Sequence, residues 1–282
     1  MNKINTIVNM IVIGGFVFND QPLNSLISHI QSQALDQSHL PNTIKFIDIN
    51  LFNSPFTLDT ATKYVAQIIT AQFSQHPVII TAYSTGGLIA LLLSINLPHL
   101  IDKLILINST PCFLSQKDWR GISKKDFTQL QDKLNNLSLP EFISYFTRLA
   151  IFPSGEKTTP KIKPIDMIPI DRLPIDRSMY KSIDRFKLCS QHCHKDNLNN
   201  WLNIICLTDM REQLKQIHCP TLFLNSDNDS IVHSNNRPSV YKTNNFLKQY
   251  IMSNSSHAQP NSLELIEQIN NFIYADNHVQ YK

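Results

Sequence analysis

Ser84 lies in the run Thr81-Ala82-Tyr83-Ser84-Thr85-Gly86-Gly87, with apolar stretches at 78–80 before it and 88–93 after it. A strand, a sharp turn and a helix with serine at the turn lift the hydroxyl clear of a sheet. They also set it near a helix N-terminus, which is the layout of a nucleophile elbow. Small residues must flank such a serine, because the strand and helix backbones nearly touch there. Gly86 meets that demand on one side. Ala82 meets it on the other, where Gly is usual. The same pattern also fits a plain strand-to-helix turn with a capping serine. Nucleophilic chemistry needs, in addition, a base, an acid to orient it and donors for an oxyanion.

An acid is available beyond the apolar run 220–225, in Ser226-Asp227-Asn228-Asp229-Ser230-Ile231-Val232. A carboxylate at the C-terminal end of a strand can reach an elbow at the end of a neighbouring strand. Asp227 and Asp229 both qualify. Asp229 is preferred, because it immediately precedes the turn back toward the next helix. The alternative is a pair of turn aspartates that bind their own backbone amides. Among ten histidines, His257 stands out by position. It follows an apolar strand at 250–252 and the small polar loop 253–256, and it precedes a final amphipathic segment. Serine, acid and histidine thus come in one chain order, each at the C-terminal end of an expected strand, where α/β sheets place their sites.

The oxyanion donors should come from the loop after the first long strand, Ile13-Gly14-Gly15-Phe16-Val17. Glycines there let an amide turn toward developing negative charge. The expected donors are the backbone N–H groups of Phe16 and Thr85. A tight turn without a ligand is the alternative.

These residues need a scaffold that brings strand ends together. Apolar runs at 9–13, 44–49, 78–83, 103–108, 221–225 and 249–252 alternate with helix-like segments at 22–35, 58–73, 85–95 and 262–274. Such alternation predicts an α/β architecture, a mainly parallel sheet with helices on both faces. The length of 282 residues suits one such domain with an insertion. The pattern breaks after Asn108 and resumes with a helix near 210–217. Residues 1–112 and 208–282 are therefore read as the core, and 113–207 as a helical cap over the strand ends.

Within the cap, prolines at 164, 169 and 174 each precede Ile-Asp, and the stretch 160–176 cannot form a regular helix. An extended surface loop or a recognition strap both fit. Lys and Arg outnumber acids between 148 and 195, which would favour an acidic partner, although a solvated mixed-charge surface fits equally. The whole chain carries a formal net charge of only +3, no signature of nucleic-acid binding. No segment reaches the length of a membrane span. Five cysteines without regular spacing argue against a disulfide framework and point to a reducing, cytoplasmic setting. Cys189, His192, Cys193 and His194 lack the second ligand pair of a zinc site, so neither metal nor cofactor is expected.

At this point the chain resembles the α/β-hydrolase superfamily. Within it, Asn108-Ser109-Thr110-Pro111-Cys112-Phe113, Asp118-Trp119-Arg120-Gly121-Ile122 and Thr208-Asp209-Met210-Arg211 are similar to one branch, the pimeloyl-acyl-carrier-protein methyl ester esterases of biotin synthesis. Tyr83 stands where that branch has Trp. Gly14-Gly15-Phe16 replaces the family's His-Gly-aromatic. The resemblance implies a catalytic triad of Ser84, Asp229 and His257, and hydrolysis of a methyl ester on an acyl carrier protein; the chain is expected to be a monomer. It implies substrate contacts from Phe16, Tyr83, Phe113, Phe142, Tyr145 and Phe146, the cap aromatics among them being equally what a cap core needs. Carrier docking would fall to basic cap residues such as Arg148, Lys161, Lys163, Arg172, Arg177 and Arg185. A carboxylesterase acting on small esters, or a non-catalytic binding protein of the same fold, are the other readings.

Overall fold

The computed structural model describes residues 8–18, 21–33, 41–73, 77–151, 193–234, 241–242, 244–260 and 262–274. Six strands form one sheet: β1 (Val8–Ile13), β2 (Pro41–Ile47), β3 (Val78–Tyr83), β4 (Ile101–Ile107), β5 (Thr221–Ser226) and β6 (Leu247–Met252). Their order is β2-β1-β3-β4-β5-β6, and every neighbouring pair is parallel. All six positions of β3 are buried, as are six of seven in β4, because helices cover both faces of the sheet.

The helices follow from the connections. The chain steps from β1 outward to β2, then returns past β1 to β3. Crossovers of one hand that run in opposite directions place their helices on opposite faces. Hence α1 (Asn24–Gln33) and α2 (Leu58–Phe73) separate. Helix α2 packs on α3 (Gly86–Asn96). Helix α1 instead packs on the last helix, Ser262–Tyr274. This reversal opens a crevice between the C-terminal ends of β1 and β3, where ligands bind in open α/β sheets. The loop 14–17 and Ser84 both emerge there, with Ile13 and Ala82 as register partners.

Between β4 and β5 the described residues hold three helices, α4 (Lys124–Asn136), α5 (Leu139–Ile151) and α6 (Lys195–Leu207); the last helix of the chain is then α7. Ser123 caps α4, accepting from Asp126 N at 3.1 Å. The expected helix near 210–217 is a short 3₁₀ turn, Glu212–Gln216. Asp209 and Met210 just before it are committed to the segment 111–112, which shortens the turn from its N-terminal side. The proline run 160–176 lies outside the described residues.

The base of this helical insertion is stitched together. Cys112 bridges Asp209, and Met210 N donates to Pro111 O at 2.9 Å. Trp119 Nε1 donates to Cys112 O at 2.7 Å. Arg211 pairs with Asp209 at 2.7 Å and lies over the Trp119 ring, 5.7 Å from its centroid. A Cβ on Gly121 would come within 2.3 Å of Phe113 O, so this turn requires glycine. The branch-like motifs at 108–122 and 208–211 thus fasten the two ends of the helical insertion to each other.

Candidate active site

β3 delivers Ser84 into a turn with φ of 50°, a left-handed conformation that is costly for a residue with a Cβ. The turn is held from three sides. Ser84 N donates to Ile107 O at 2.9 Å. Ser84 O accepts from Gly87 N at 3.0 Å and from Ser109 Oγ at 2.7 Å. Small residues are obligatory around it. A Cβ on Gly86 would lie 2.3 Å from Gly14 O, and one on Gly87 would lie 2.0 Å from Ser109 Oγ.

Ser84 Oγ lies 2.9 Å from His257 Nε2, and His257 Nδ1 lies 2.7 Å from Asp229 Oδ2. All three side chains are buried. Asp229 Oδ1 accepts from Ile231 N and Val232 N, each at 2.8 Å, so the carboxylate is held rigidly in the turn after β5. With Nδ1–H donating to the carboxylate, the Nε2 lone pair faces the serine hydroxyl. Such an arrangement can take a proton from Ser84 as its oxygen attacks a carbonyl.

Asp227 does different work. Its Oδ2 accepts from Asn254 N at 3.1 Å and its Oδ1 from Ser255 N at 3.0 Å. It therefore fixes the loop that carries His257 and does not touch the imidazole.

Two further residues hold His257 by its main chain. Tyr83 Oη donates to His257 O at 2.6 Å, and Asn108 Nδ2 donates to the same oxygen at 2.9 Å. Burial, reinforced by the nearby Asp229 charge, pushes the Tyr83 phenol well above its ordinary range, so it remains a donor. The Tyr83 side chain, expected among the substrate contacts, is fully buried, and its hydroxyl is bonded to His257 O. Asn108 was not anticipated from sequence. It has φ of 46°, and its Oδ1 accepts from Ser226 N at 2.8 Å, tying β4 to β5. A left-handed-tolerant Asn at the end of a buried strand was the available signal.

The loop 14–17 presses against the serine turn, since a Cβ on Gly15 would lie 2.6 Å from the Tyr83 ring and 3.0 Å from Ser84 Cβ. The loop that carries Phe16 thus abuts the serine turn, and Thr85 follows Ser84 in sequence. The Phe16 ring meets α5 edge-on, 6.4 Å from Phe142 and 5.0 Å from Phe146. Tyr145 turns elsewhere, its ring 5.5 Å from Lys133 Nζ. Phe113 is buried where the insertion begins. Helix α5 also reaches both other loops: Leu149 O accepts from Ser230 Oγ at 2.7 Å and Ala150 O from Ala258 N at 3.2 Å.

Arg148 is half-buried on α5, whereas Lys161, Lys163, Arg172, Arg177 and Arg185 lie outside the described residues. Among the described residues no cluster of His, Cys, Asp or Glu could hold a metal ion, and no helix is long and apolar enough to cross a membrane.

Residues 31–259 match the sequence profile of the alpha/beta hydrolase fold. Several similar proteins bear the name pimeloyl-[acyl-carrier protein] methyl ester esterase. That of Wigglesworthia glossinidia brevipalpis is 29% identical over 69% of this chain and 68% of its own length. That of Vibrio campbellii is 26% identical over 62% of this chain and 61% of its own length, so less than two thirds of that relative is spanned. The Proteus mirabilis protein is 23% identical over 79% and 76%. In three dimensions the chain is similar to a bromoperoxidase from Bacillus anthracis, with a TM-score of 0.74 at 16% identity over 95% and 92% of the two chains. It is also similar to an esterase from Exiguobacterium antarcticum, with a TM-score of 0.72 at 14% identity over 95% and 92%. At these identities the two structures speak to fold alone.

Proposed function

This chain belongs to the alpha/beta hydrolase fold family, and on that premise we propose that it is a carboxylic ester hydrolase that acts on the methyl ester of pimeloyl-acyl carrier protein in biotin synthesis. The observation that carries the chemistry is the continuous run of hydrogen bonds from Ser84 through His257 to Asp229. The names of the similar esterases support the substrate.

In this reading Ser84 Oγ attacks the ester carbonyl while His257 Nε2 takes its proton. Asp229 holds the imidazole in the required tautomer and stabilises the imidazolium. The amides of Phe16 and Thr85 receive the oxyanion, each donor worth roughly 3–4 kcal/mol in the transition state. The tetrahedral intermediate collapses, its bond to the methoxy oxygen breaks, and His257 protonates the departing methanol. Water, deprotonated by His257, then attacks the acyl-enzyme. A second collapse returns the proton to Ser84 and frees the pimeloyl carboxylate, still attached to its carrier.

The basic stretch between 148 and 195, with Arg148 at its start, is proposed to steer the acidic carrier, and the enzyme to act as a cytoplasmic monomer. The deciding experiment compares kcat/KM for pimeloyl-carrier-protein methyl ester with that for a short free ester, at low and high salt. A strong preference for the carrier-bound ester that falls with salt supports the proposal. A preference for the short ester rejects the biotin assignment and leaves a small-ester carboxylesterase. Equal salt sensitivity of the two substrates rejects carrier docking.

A further inference from the structure

Asn50 sits where β2 has ended, outside the Ser84–His257–Asp229 set, yet its side chain is built into the loop beside Ser84. It is 1% exposed, and all of its amide's donor capacity is used. Oδ1 accepts from Val17 N at 3.1 Å. Nδ2 donates to Gly15 O at 3.1 Å and to Asp48 Oδ1 at 3.0 Å. The Asp48 carboxylate fixes which way the amide faces, since a flip would set Oδ1 against two acceptors.

The segment it grips is strained. Val17 has φ of 68°, an outlier for a β-branched residue. Phe18 N donates to Phe16 O at 2.8 Å, which closes a γ-turn of the rare positive-φ kind around Val17. Such a turn persists only where its surroundings over-determine it. Asn50 binds on both sides of Phe16, at the carbonyl before it and the amide after it. Peptide planarity makes the first contact decisive. The carbonyl of Gly15 and the N–H of Phe16 belong to one rigid unit and point in opposite directions, so anchoring Gly15 O sets the direction of the Phe16 N–H.

The clamp also reaches the cap. Asn50 O accepts from Asn197 Nδ2 of α6 at 2.9 Å, and Trp201 Nε1 of the same helix donates to Ile49 O at 3.0 Å.

We propose that Asn50 is a positioning residue that holds the 15–17 loop so that the Phe16 amide faces the oxyanion, and that Asn197 ties this clamp to the cap. This rests on the serine-hydrolase reading above. It follows that Asn50 acts on the transition state and scarcely on substrate binding.

The test uses Asn50→Leu, which removes every side-chain hydrogen bond at similar volume, and Asn50→Asp, which keeps an acceptor for Val17 N but loses the donor to Gly15 O. Active sites are counted by titration, so that loss of folded protein is not read as loss of rate. Expected for both on a short ester is a fall in kcat of about 10- to 100-fold with KM nearly unchanged. Affinity for a trifluoromethyl ketone, which forms an oxyanion on Ser84, should fall by the same factor. Asn197→Ala should shift kcat per titrated site and ketone affinity in the same direction, by roughly 2- to 5-fold. Folded Asn50 variants with wild-type kcat and ketone affinity overturn the proposal. If neither variant folds, an unaltered Asn197→Ala overturns it. A wild-type protein that neither hydrolyses esters nor binds the ketone overturns the hydrolase reading, and this inference with it.

Discussion

The hydroxyl of Tyr83 donates to the backbone carbonyl of His257 at 2.6 Å, so the residue before the serine braces the residue whose ring faces that serine. Tyr83→Phe keeps the ring in its buried place and removes only this bond. Asn108 Nδ2 still serves the same carbonyl at 2.9 Å, which limits the cost to about 1 kcal/mol of stability. A fall in kcat of a few-fold, with KM unchanged, is expected from a less well-held imidazole. Denaturant unfolding and steady-state kinetics check this; a variant identical to wild type in both would show that the contact braces nothing.

Alkaline pH should unfold the protein through its buried phenols. Burial raises the pKa of Tyr83 and of Tyr241 above the ordinary value. The native state therefore keeps protons that the unfolded chain releases near pH 10. Their contribution to stability is whole below about pH 10 and is lost as pH rises through the folded-state values. Tyrosinate absorbance and loss of far-ultraviolet ellipticity should rise together in a pH titration. Early ionisation of all eight tyrosines in a folded protein would contradict the burial argument.

Substitutions in the proposed triad should separate by role. Ser84→Ala should abolish labelling by a fluorophosphonate probe and lower kcat by roughly 10⁴-fold or more. Asp229→Asn presents an amide N–H to Nδ1, favours the wrong tautomer, and should cost about 10⁴-fold in kcat near neutral pH. Probe labelling that survives Ser84→Ala would move the nucleophile elsewhere.

Gly86→Ala tests the tightness of the elbow. Its Cβ would meet Gly14 O at 2.3 Å and Ile13 Cγ2 at 2.9 Å, and a backbone oxygen cannot swing aside as a flexible side chain can. The loop 14–17 must shift, at a cost of about 1–3 kcal/mol, and activity should fall more than stability requires. Thermal melting with kcat per titrated site measures both; full kcat in the folded variant would refute the close approach.

Thiol reagents should spare activity. Burial raises the Cys112 and Cys219 thiols to about 11 and that of Cys193 to about 12. At pH 8 their thiolate fraction is on the order of 0.1% or less. Among the described cysteines, Cys206 is half-buried and should be modified first. Mass spectrometry after brief maleimide treatment reads the order, and rapid loss of activity with Cys112 labelling would overturn it.

Much of the scaffold was legible in the chain because its signals are local. Apolar runs of strand length read as strands, and the segments 58–73 and 262–274 coincide with α2 and α7. The segment expected as a helix near 210–217 is a 3₁₀ turn at Glu212–Gln216, because Asp209 and Met210 pair with the distant residues Cys112 and Pro111. Tyr83 stands among the substrate contacts that the family resemblance implies. In the structure its hydroxyl reaches the His257 main chain, a pairing across 174 positions that no local pattern encodes.

The sequence by itself determined the element types, their alternation, and the candidates Ser84, Asp229 and His257 with their order along the chain. Residue type and short-range spacing suffice for those. Only the tertiary structure decided which aspartate meets the imidazole. Asp227 and Asp229 are two residues apart in one turn, and hydrogen bonds to Asn254 and Ser255 commit the first to the loop. Only the tertiary structure, likewise, brought Asn50 to Gly15 and Val17, and Asn108 to Ser226 and His257. Their significance lies in hydrogen bonds that span 33 to 149 positions along the chain. No local pattern encodes such pairings; they arise because a parallel sheet with a reversed strand order gathers distant loops at one edge and leaves their buried polar groups to satisfy one another.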